Sequence, residues 1–367
     1  MRRTRKTLPA GRSLFDLSIA GLEALVQETG EKPYRAKQIA AWAYRRFASS
    51  FSEMTDLPLS LRQHLVDSVN FSHLELLMKQ EGREQWAKRY LWGESGAPVC
   101  ESVLLQYRYG LTGCVSTQVG CPVGCAFCAS RLLGFERDLS PGEILEEFTG
   151  MCRDQGRRLG HMVFMGTGEP FLCYKNVMAA MDVVCDPAYY GLSRRKVTVS
   201  TAGIPEAIRR YAKDSRGARL ALSLHASTDS VRDELMPLNK RFPIASVMEA
   251  LREFSTSTGQ RVTIEYMLLR DVNDSGADAG RLVQLVRRID CLVNLIPWNE
   301  VPGFRWRRPE PARVAGFRDV LERSGIKVTV RRELGGNIEA ACGQLRREMK
   351  GGSQGGPGAR PGRKAAK

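Results

Sequence analysis

The 367-residue chain has no long apolar run: no stretch approaches the roughly 18 residues a membrane span needs. Its first residues, "MRRTRKTLPAGRSLF", are basic but lead into no apolar core of a secretory signal. The expectation is a cytoplasmic protein without a membrane partner. Ten cysteines are too few for a disulfide scaffold, and their uneven clustering points to metal or redox chemistry. Histidine is scarcer still, with four residues. Acids are missing from both ends. The first twelve residues carry Arg2, Arg3, Arg5, Lys6 and Arg12, and the last seventeen carry Arg360, Arg363, Lys364 and Lys367, with no Asp or Glu among them. The formal charge is +15, and removing these nine positives leaves +6. Two basic arms on a mildly basic body suit a polyanion, of which nucleic acid is the commonest in a cytoplasm.

What remains is ordinary globular sequence, 43% hydrophobic and 26% charged. It divides into a basic arm (1–12), a helical accessory domain with an RNA-binding expectation (13–70), a strand-rich layer (71–111), a βα-repeat domain (112–348) and a Gly-rich basic tail (349–367). In the helical part, "DLSIAGLEALVQETG", "YRAKQIAAWAYRRFA" and "PLSLRQHLVDSV" have helical apolar spacing. The second of these is expected to present Arg35, Lys37, Arg45 and Arg46 on an exposed face. Beyond residue 112, "TGCVSTQ", "HMVFMG", "KVTVST", "RLALSLH", "RVTIEYMLL", "CLVNLIPW" and "KVTVRRE" read as strands, with helix-like segments between them. Six βα units and a last strand predict an α/β fold, an incomplete (β/α)6 barrel; a doubly wound open sheet is the alternative.

Chemistry in βα proteins gathers in the loops after strand ends. The first such loop, "VGCPVGCAFCAS", holds Cys121, Cys125 and Cys128. Thiolates are soft ligands for zinc or iron–sulfur clusters. Structural zinc takes four ligands, and no second pair follows. Three thiolates suit a cubane cluster with one iron left open; a catalytic zinc is the rival. "MGTGEP" (165–170) follows the second barrel strand, and its glycine pair would let backbone approach a ligand closely. Ser200 in "VSTAG", Ser223 and His225 in "LSLHA", and Asn299 in "LIPWNE" lie at later strand ends. Singly each is weak evidence; at consecutive strand ends they predict one pocket. Cys114 and Cys342 fit no cluster spacing. Cys342, in the small-residue run "NIEAACGQL", suits a nucleophile if its pKa is lowered.

The pattern CxxxCxφC, with Phe127 before the last cysteine, resembles the radical S-adenosylmethionine (SAM) superfamily. The resemblance narrows with "ESVLL", "CVSTQVGC", "MGTGEP", "SLHA", "LIPWN" and "AACGQL", which are similar in order and separation to the RlmN-type RNA methyltransferases over about residues 15–350. Thr167 stands where that family often has Met. The resemblance implies a radical SAM barrel with a [4Fe–4S] cluster on Cys121, Cys125 and Cys128. It implies a SAM site at Gly168, Glu169, Ser200, Ser223, Leu224, His225 and Asn299, and two SAM per turnover, one as methyl donor and one as radical source. Cys342 would carry the methyl group, Glu101 would be the base, and Cys114 would close a transient disulfide with Cys342. The implied substrate is carbon 2 of adenosine in the peptidyl-transferase centre of 23S rRNA and, in some members, of the tRNA adenosine at position 37. The implied electron donor is of the flavodoxin or ferredoxin kind, and the protein a monomer. Three alternatives stand beside this: a Cfr-type enzyme acting on carbon 8, a non-catalytic Fe–S or zinc RNA-binding module, and a thiol redox sensor.

Overall fold

The computed structural model describes residues 12–82, 86–300 and 303–331. Most of the arm, the tail and Cys342 lie outside these. Three helices come first: α1 (Ile19–Glu28), α2 (Tyr34–Tyr44) and α3 (Leu59–Ser68). Ser18 caps α1 by accepting from the Gly21 N–H, and Gly30 ends it at φ +74°, a conformation glycine adopts without strain.

Strands β1 (Glu75–Glu81), β2 (Ala87–Glu94) and β3 (Ala97–Tyr107) are antiparallel. They do not stand apart as a layer. β3 pairs with β4 (Gly110–Val115), and that strand opens the parallel run. The run continues through β7 (His161–Phe164), β8 (Val197–Thr201), β9 (Arg219–Ser223), β10 (Val262–Leu268), β11 (Cys291–Pro297) and β12 (Lys327–Val330). These seven parallel strands are the seven read from the sequence. The crossovers are α4 (Pro141–Asp154), α5 (Tyr174–Cys185), α6 (Pro205–Asp214), the pair α7 (Asp229–Leu235) and α8 (Ile244–Thr258), α9 (Gly276–Val286) and α10 (Pro311–Arg323). The ten-stranded sheet starts at β1 and ends at β12, and those two ends are not paired with each other among the described residues. That is the incomplete barrel. A two-stranded ribbon, β5 (Gln118–Gly120) with β6 (Phe135–Asp138), flanks the cysteine loop.

Helix α4 explains how the helical region is held. Ser140, Pro141 and Glu143 start it with a capping box, and it is then buried without a break from Gly142 to Cys152. An ordinary amphipathic helix would leave one face wet. Here the second face is taken by the N-terminal region. The Glu146 carboxylate accepts from Ser13 Oγ (2.7 Å), Ser72 Oγ (2.8 Å) and the Leu74 N–H (2.7 Å). Asp16 accepts from Ser140 Oγ (2.9 Å) and the Gly142 N–H (3.0 Å). Leu14, Leu22 and Ile39 share one apolar cluster with Phe148, Met151 and the sheet.

Most of the basic residues expected on α2 are engaged within the fold, one of them in this docking. Arg45 and Arg46 lie beyond the helix end at Tyr44. Arg45 donates to the carbonyls of Pro187 and Tyr189, between α5 and β8 (Nε–O 2.9 Å for Tyr189). Arg46 lies over the Trp42 ring and pairs with Asp56 at 3.6 Å. Arg35 is half-buried against Glu31 and Gln38. Lys37 alone of the four is exposed with no partner among the described residues.

Candidate active site

One cavity opens at the carboxyl ends of the parallel strands, where βα loops converge. Its wall includes Cys121, Cys125 and Cys128 from the first loop, Gly166–Pro170 from the second, Ser200 to Ala202, Ser223, His225 and, from the side of β3 and β4, Val103, Leu105 and Cys114. The structure thus brings together eight of the residues singled out from the sequence besides Cys114: Cys121, Cys125, Cys128, Gly168, Glu169, Ser200, Ser223 and His225.

Three placements differ from expectation. Leu224 is wholly buried in the main apolar core; it meets the site only through its N–H, which donates to the Glu265 carbonyl (3.0 Å). Asn299 is not on the cavity wall, and its Oδ1 accepts from Arg308 (2.6 Å). Glu101 is 1% exposed and lies behind the wall, on the β3 face that it shares with the lining residues Val103 and Leu105. Cys342 lies outside the described residues.

The cysteine loop is pinned at several points. The Cys121 N–H donates to the Gly134 carbonyl (3.1 Å), the Ala126 N–H to the Leu235 carbonyl (2.8 Å), and Trp306 Nε1 to the Ala126 carbonyl (3.1 Å). Burial, against two backbone N–H donors, pushes Cys121 up to about 12, and burial helped by the other two thiols pushes Cys125 well above its usual range. Three close, half-buried thiols become thiolates together only with cationic charge among them, which iron would supply. Three soft sulfur donors from one loop, all on the cavity wall, are a donor set that suits an iron–sulfur cluster. The residues therefore fit a [4Fe–4S] group.

The "MGTGEP" turn is shaped by the protein itself. A Cβ on Gly166 would lie 2.7 Å from the Ser116 N and Oγ, and one on Gly168 would lie 2.5 Å from Thr117 Oγ1. The close approach these glycines permit is to residues 116–118, where β4 leads into β5. The Thr117 N–H donates to the Thr167 carbonyl (2.9 Å), the Thr167 N–H to Ser116 Oγ (2.9 Å) and the Glu169 N–H to Gln118 Oε1 (2.8 Å). Glu169 accepts from the Ala202 N–H (2.6 Å), Thr201 Oγ1 (2.7 Å) and the Phe171 N–H (3.0 Å). Burial raises its pKa, although those three donors pull the other way.

His225 sits at φ +57°, costly for a non-glycine residue and held in place by its surroundings. The Met267 N–H donates to its Nδ1 (3.0 Å), which leaves the proton on Nε2. Burial, then the charge of Arg232, lowers its pKa to about 3, so the ring is a neutral donor at physiological pH. Arg232 is itself buried and bonds the carbonyls of Leu224 (3.1 Å) and Ala202 (2.5 Å), joining the ends of β8 and β9.

The sequence reading missed Glu265 and Arg331, which also line the cavity. Glu265 is part of a row across adjacent strands: Thr329 Oγ1 donates to Asn294 Oδ1 (2.9 Å), and Asn294 Nδ2 to Glu265 Oε2 (2.8 Å). The available signal was a lone acid inside the apolar strand "RVTIEYMLL".

Comparison with known proteins can now be set against this geometry. Residues 12–70 match the ribosomal RNA large subunit methyltransferase N-terminal domain, and residues 115–282 match the radical SAM superfamily. A probable dual-specificity RNA methyltransferase RlmN of Pelotomaculum thermopropionicum is 44% identical over 335 residues, 91% of each chain. The chain belongs to the RlmN family of radical SAM RNA methyltransferases. A dual-specificity RNA methyltransferase RlmN of Anaeromyxobacter sp. strain Fw109-5 is 41% identical, covering 94% of this chain and 92% of its own. The crystal structure of a radical SAM methyltransferase from Sphaerobacter thermophilus superposes with a TM-score of 0.88 at 39% identity, covering 91% of this chain and 99% of the other. Membership of this family makes the chain a SAM-dependent radical RNA methyltransferase, whose cofactors are a [4Fe–4S] cluster and SAM. No described helix is long and apolar enough to cross a membrane.

Proposed function

We propose that this protein methylates carbon 2 of adenosine in 23S rRNA, and in tRNA at position 37, through a methyl group carried on Cys342. Carbon 2 is an electron-poor amidine carbon whose C–H is not acidic enough to yield a useful nucleophile, so it cannot attack the SAM methyl directly; radical chemistry answers that difficulty. Cys121, Cys125 and Cys128 hold the cluster, and the turn at Gly168 and Glu169, with Ser200, Ser223 and His225, holds SAM; Leu224 contributes through its backbone. Asn299 joins them only if its contact with Arg308 gives way. When bound, the cluster with SAM supplies a 5′-deoxyadenosyl radical that takes hydrogen from a methyl group on sulfur. Cys342 would hold that methyl group, having attacked it as a thiolate in a first SAM, with S-adenosylhomocysteine as the leaving group. The apolar wall of Val103, Leu105, Phe127 and Met267 keeps water from the reacting carbon. The carbon radical left on the Cys342 S-methyl group adds to carbon 2 and joins protein to RNA; the adduct would return its unpaired electron to the oxidised cluster, and Glu101 accepts the proton that carbon 2 gives up. Cys114 then attacks the Cys342 sulfur, forms a disulfide and frees the methylated RNA. The redox partner in this reading is an electron donor of the flavodoxin or ferredoxin kind, and the protein acts as a monomer.

The observation that carries the reading is the place of Cys114. Its side chain is 7% exposed and stands on the wall of the same cavity as the three cluster cysteines. An Fe–S module that only bound RNA would have no use for a fourth cysteine there. The test is Cys342→Ala in the reconstituted protein. Methylation should vanish while RNA binding persists; a fully active variant would refute the methyl-carrier role.

A further inference from the structure

Glu101 does not stand alone behind the cavity wall. Arg89, on the neighbouring strand β2, is also 1% exposed, and its Nη2 lies 2.8 Å from Glu101 Oε1. The pairing Leu91↔Glu101 and Arg89↔Val103 makes the two side chains diagonal neighbours on one sheet face. The guanidinium is steadied from the next strand, where Gln80 Oε1 on β1 accepts from Nη1 (3.1 Å). A chain Gln80–Arg89–Glu101 thus crosses β1, β2 and β3 toward the cavity. At the backbone, the Glu101 carbonyl accepts from Ser116 Oγ (2.6 Å), the hydroxyl that also receives the Thr167 N–H of the "MGTGEP" turn.

We propose that Arg89 is the positioning residue for Glu101: it fixes the carboxylate and keeps it ionised until the proton of the substrate arrives. The proposal rests on the reading of Glu101 as the base. Cys100 lies beside Glu101 on β3, and Glu143, Glu146 and Glu147 of α4 lie across that strand. Each of these groups is an acid, whereas Arg89 brings a cation into contact with Glu101. A dry carboxyl without that counter-charge takes a proton and can no longer accept one. The step itself is simple: the C–H bond at carbon 2 breaks, its electron pair stays on the ring, and the proton forms an O–H bond on Glu101. It follows the joining of Cys342 to RNA, so a failing base leaves protein and RNA covalently linked.

The test compares wild type with Arg89→Gln and Glu101→Gln, reading methylated RNA across pH 6–9 and the protein–RNA adduct on denaturing gels. Methylation of Cys342, an earlier event, reports that each variant is folded. Arg89→Gln should lose ten-fold or more of its turnover at pH 7, accumulate adduct, and recover as pH rises and the carboxyl gives up its proton. An Arg89→Gln protein with methylated Cys342, a wild-type pH profile and no extra adduct would overturn the proposal. Should that variant fail to fold, Arg89→Lys decides: adduct above wild type with unchanged KM for RNA sustains the proposal, and wild-type adduct overturns it. Glu101→Gln separates the two ideas. If it forms no adduct, the base reading itself fails; if it does and the Arg89 variants do not, only the role of Arg89 fails.

Discussion

Replacing Gly168 with alanine should damage this enzyme more than a glycine-to-alanine change ordinarily does, in two separable ways. Gly168 has φ +117°, which an L-residue adopts only with strain. That alone costs about 1–3 kcal/mol. The added Cβ would also lie 2.5 Å from Thr117 Oγ1 and 2.9 Å from the Gln118 Cβ and Cγ. Crowding of this kind in a packed site costs a further ~1–3 kcal/mol. The summed loss of about 2–6 kcal/mol is large against typical domain stabilities. Relief requires Thr117 and Gln118 to move, and Gln118 receives the Glu169 N–H while Thr117 donates to the Thr167 carbonyl. The ligand-facing turn must therefore shift with them. Gly259→Ala is the control: its φ is +63° at the end of α8, and nothing lies within 4 Å of its added Cβ. It should cost about 1 kcal/mol, the conformational share alone. Urea unfolding gives the stability difference, and anaerobic equilibrium dialysis of the reconstituted protein gives SAM affinity. Gly168→Ala should fall well below Gly259→Ala in stability and bind SAM at least ten-fold more weakly. Equal stabilities and unchanged SAM affinity would refute the view that the turn is shaped by residues 116–118.

Two further outcomes follow from buried polar groups. Glu169→Gln sets an amide NH2 against either the Phe171 or the Ala202 N–H, so one buried donor loses its acceptor at about 1–3 kcal/mol; SAM affinity should fall with urea stability, and wild-type values for both would contradict the network described. The His73–Asp16 pair (2.8 Å) gives a pH signature in the docking of the helical region. The Asp16 hydrogen bond raises the His73 pKa above 6.5, so its contribution is complete below that value and fades as pH rises through the raised one. Asp16 is held below 3.8 by His73 and Ser140 against the opposing effect of burial, and its contribution fades as pH falls through the lowered value. The pair therefore stabilises most between about pH 4 and 6.5. His73→Gln should lose about 0.5–1 kcal/mol at pH 5.5, given partial solvent screening, and less at pH 8; a larger deficit at pH 8 would reverse the assignment.

The parallel strands were legible because each is a short apolar run bounded by turn residues, and the cluster loop because three thiols in eight residues have few other uses. What the sequence hid is whatever depends on partners distant in the chain. Arg45 looks like a nucleic-acid contact on a basic helix, and only the fold shows it bonded to carbonyls 142 and 144 residues away. Arg89 reads as a surface cation in "WAKRYLW"; its burial follows from the pairing of β2 with both β1 and β3, which puts strands on either side of it. The two glycines of "MGTGEP" read as room for a ligand, and the fold adds that they also make room for Ser116 and Thr117. Leu224 sits between Ser223 and His225, which do line the cavity, yet its own side chain is in the core, and Asn299, three residues past the lining residue Ile296, is bonded to Arg308.

The central claim, that this protein methylates carbon 2 of adenosine in RNA, meets its most direct test in one measurement. The anaerobically reconstituted protein is given SAM, a reductant and 23S rRNA fragments, and the RNA is digested to nucleosides for mass spectrometry against authentic methyladenosine isomers. The account predicts 2-methyladenosine. Finding 8-methyladenosine without it, or no methylated adenosine while SAM is cleaved, would contradict the account.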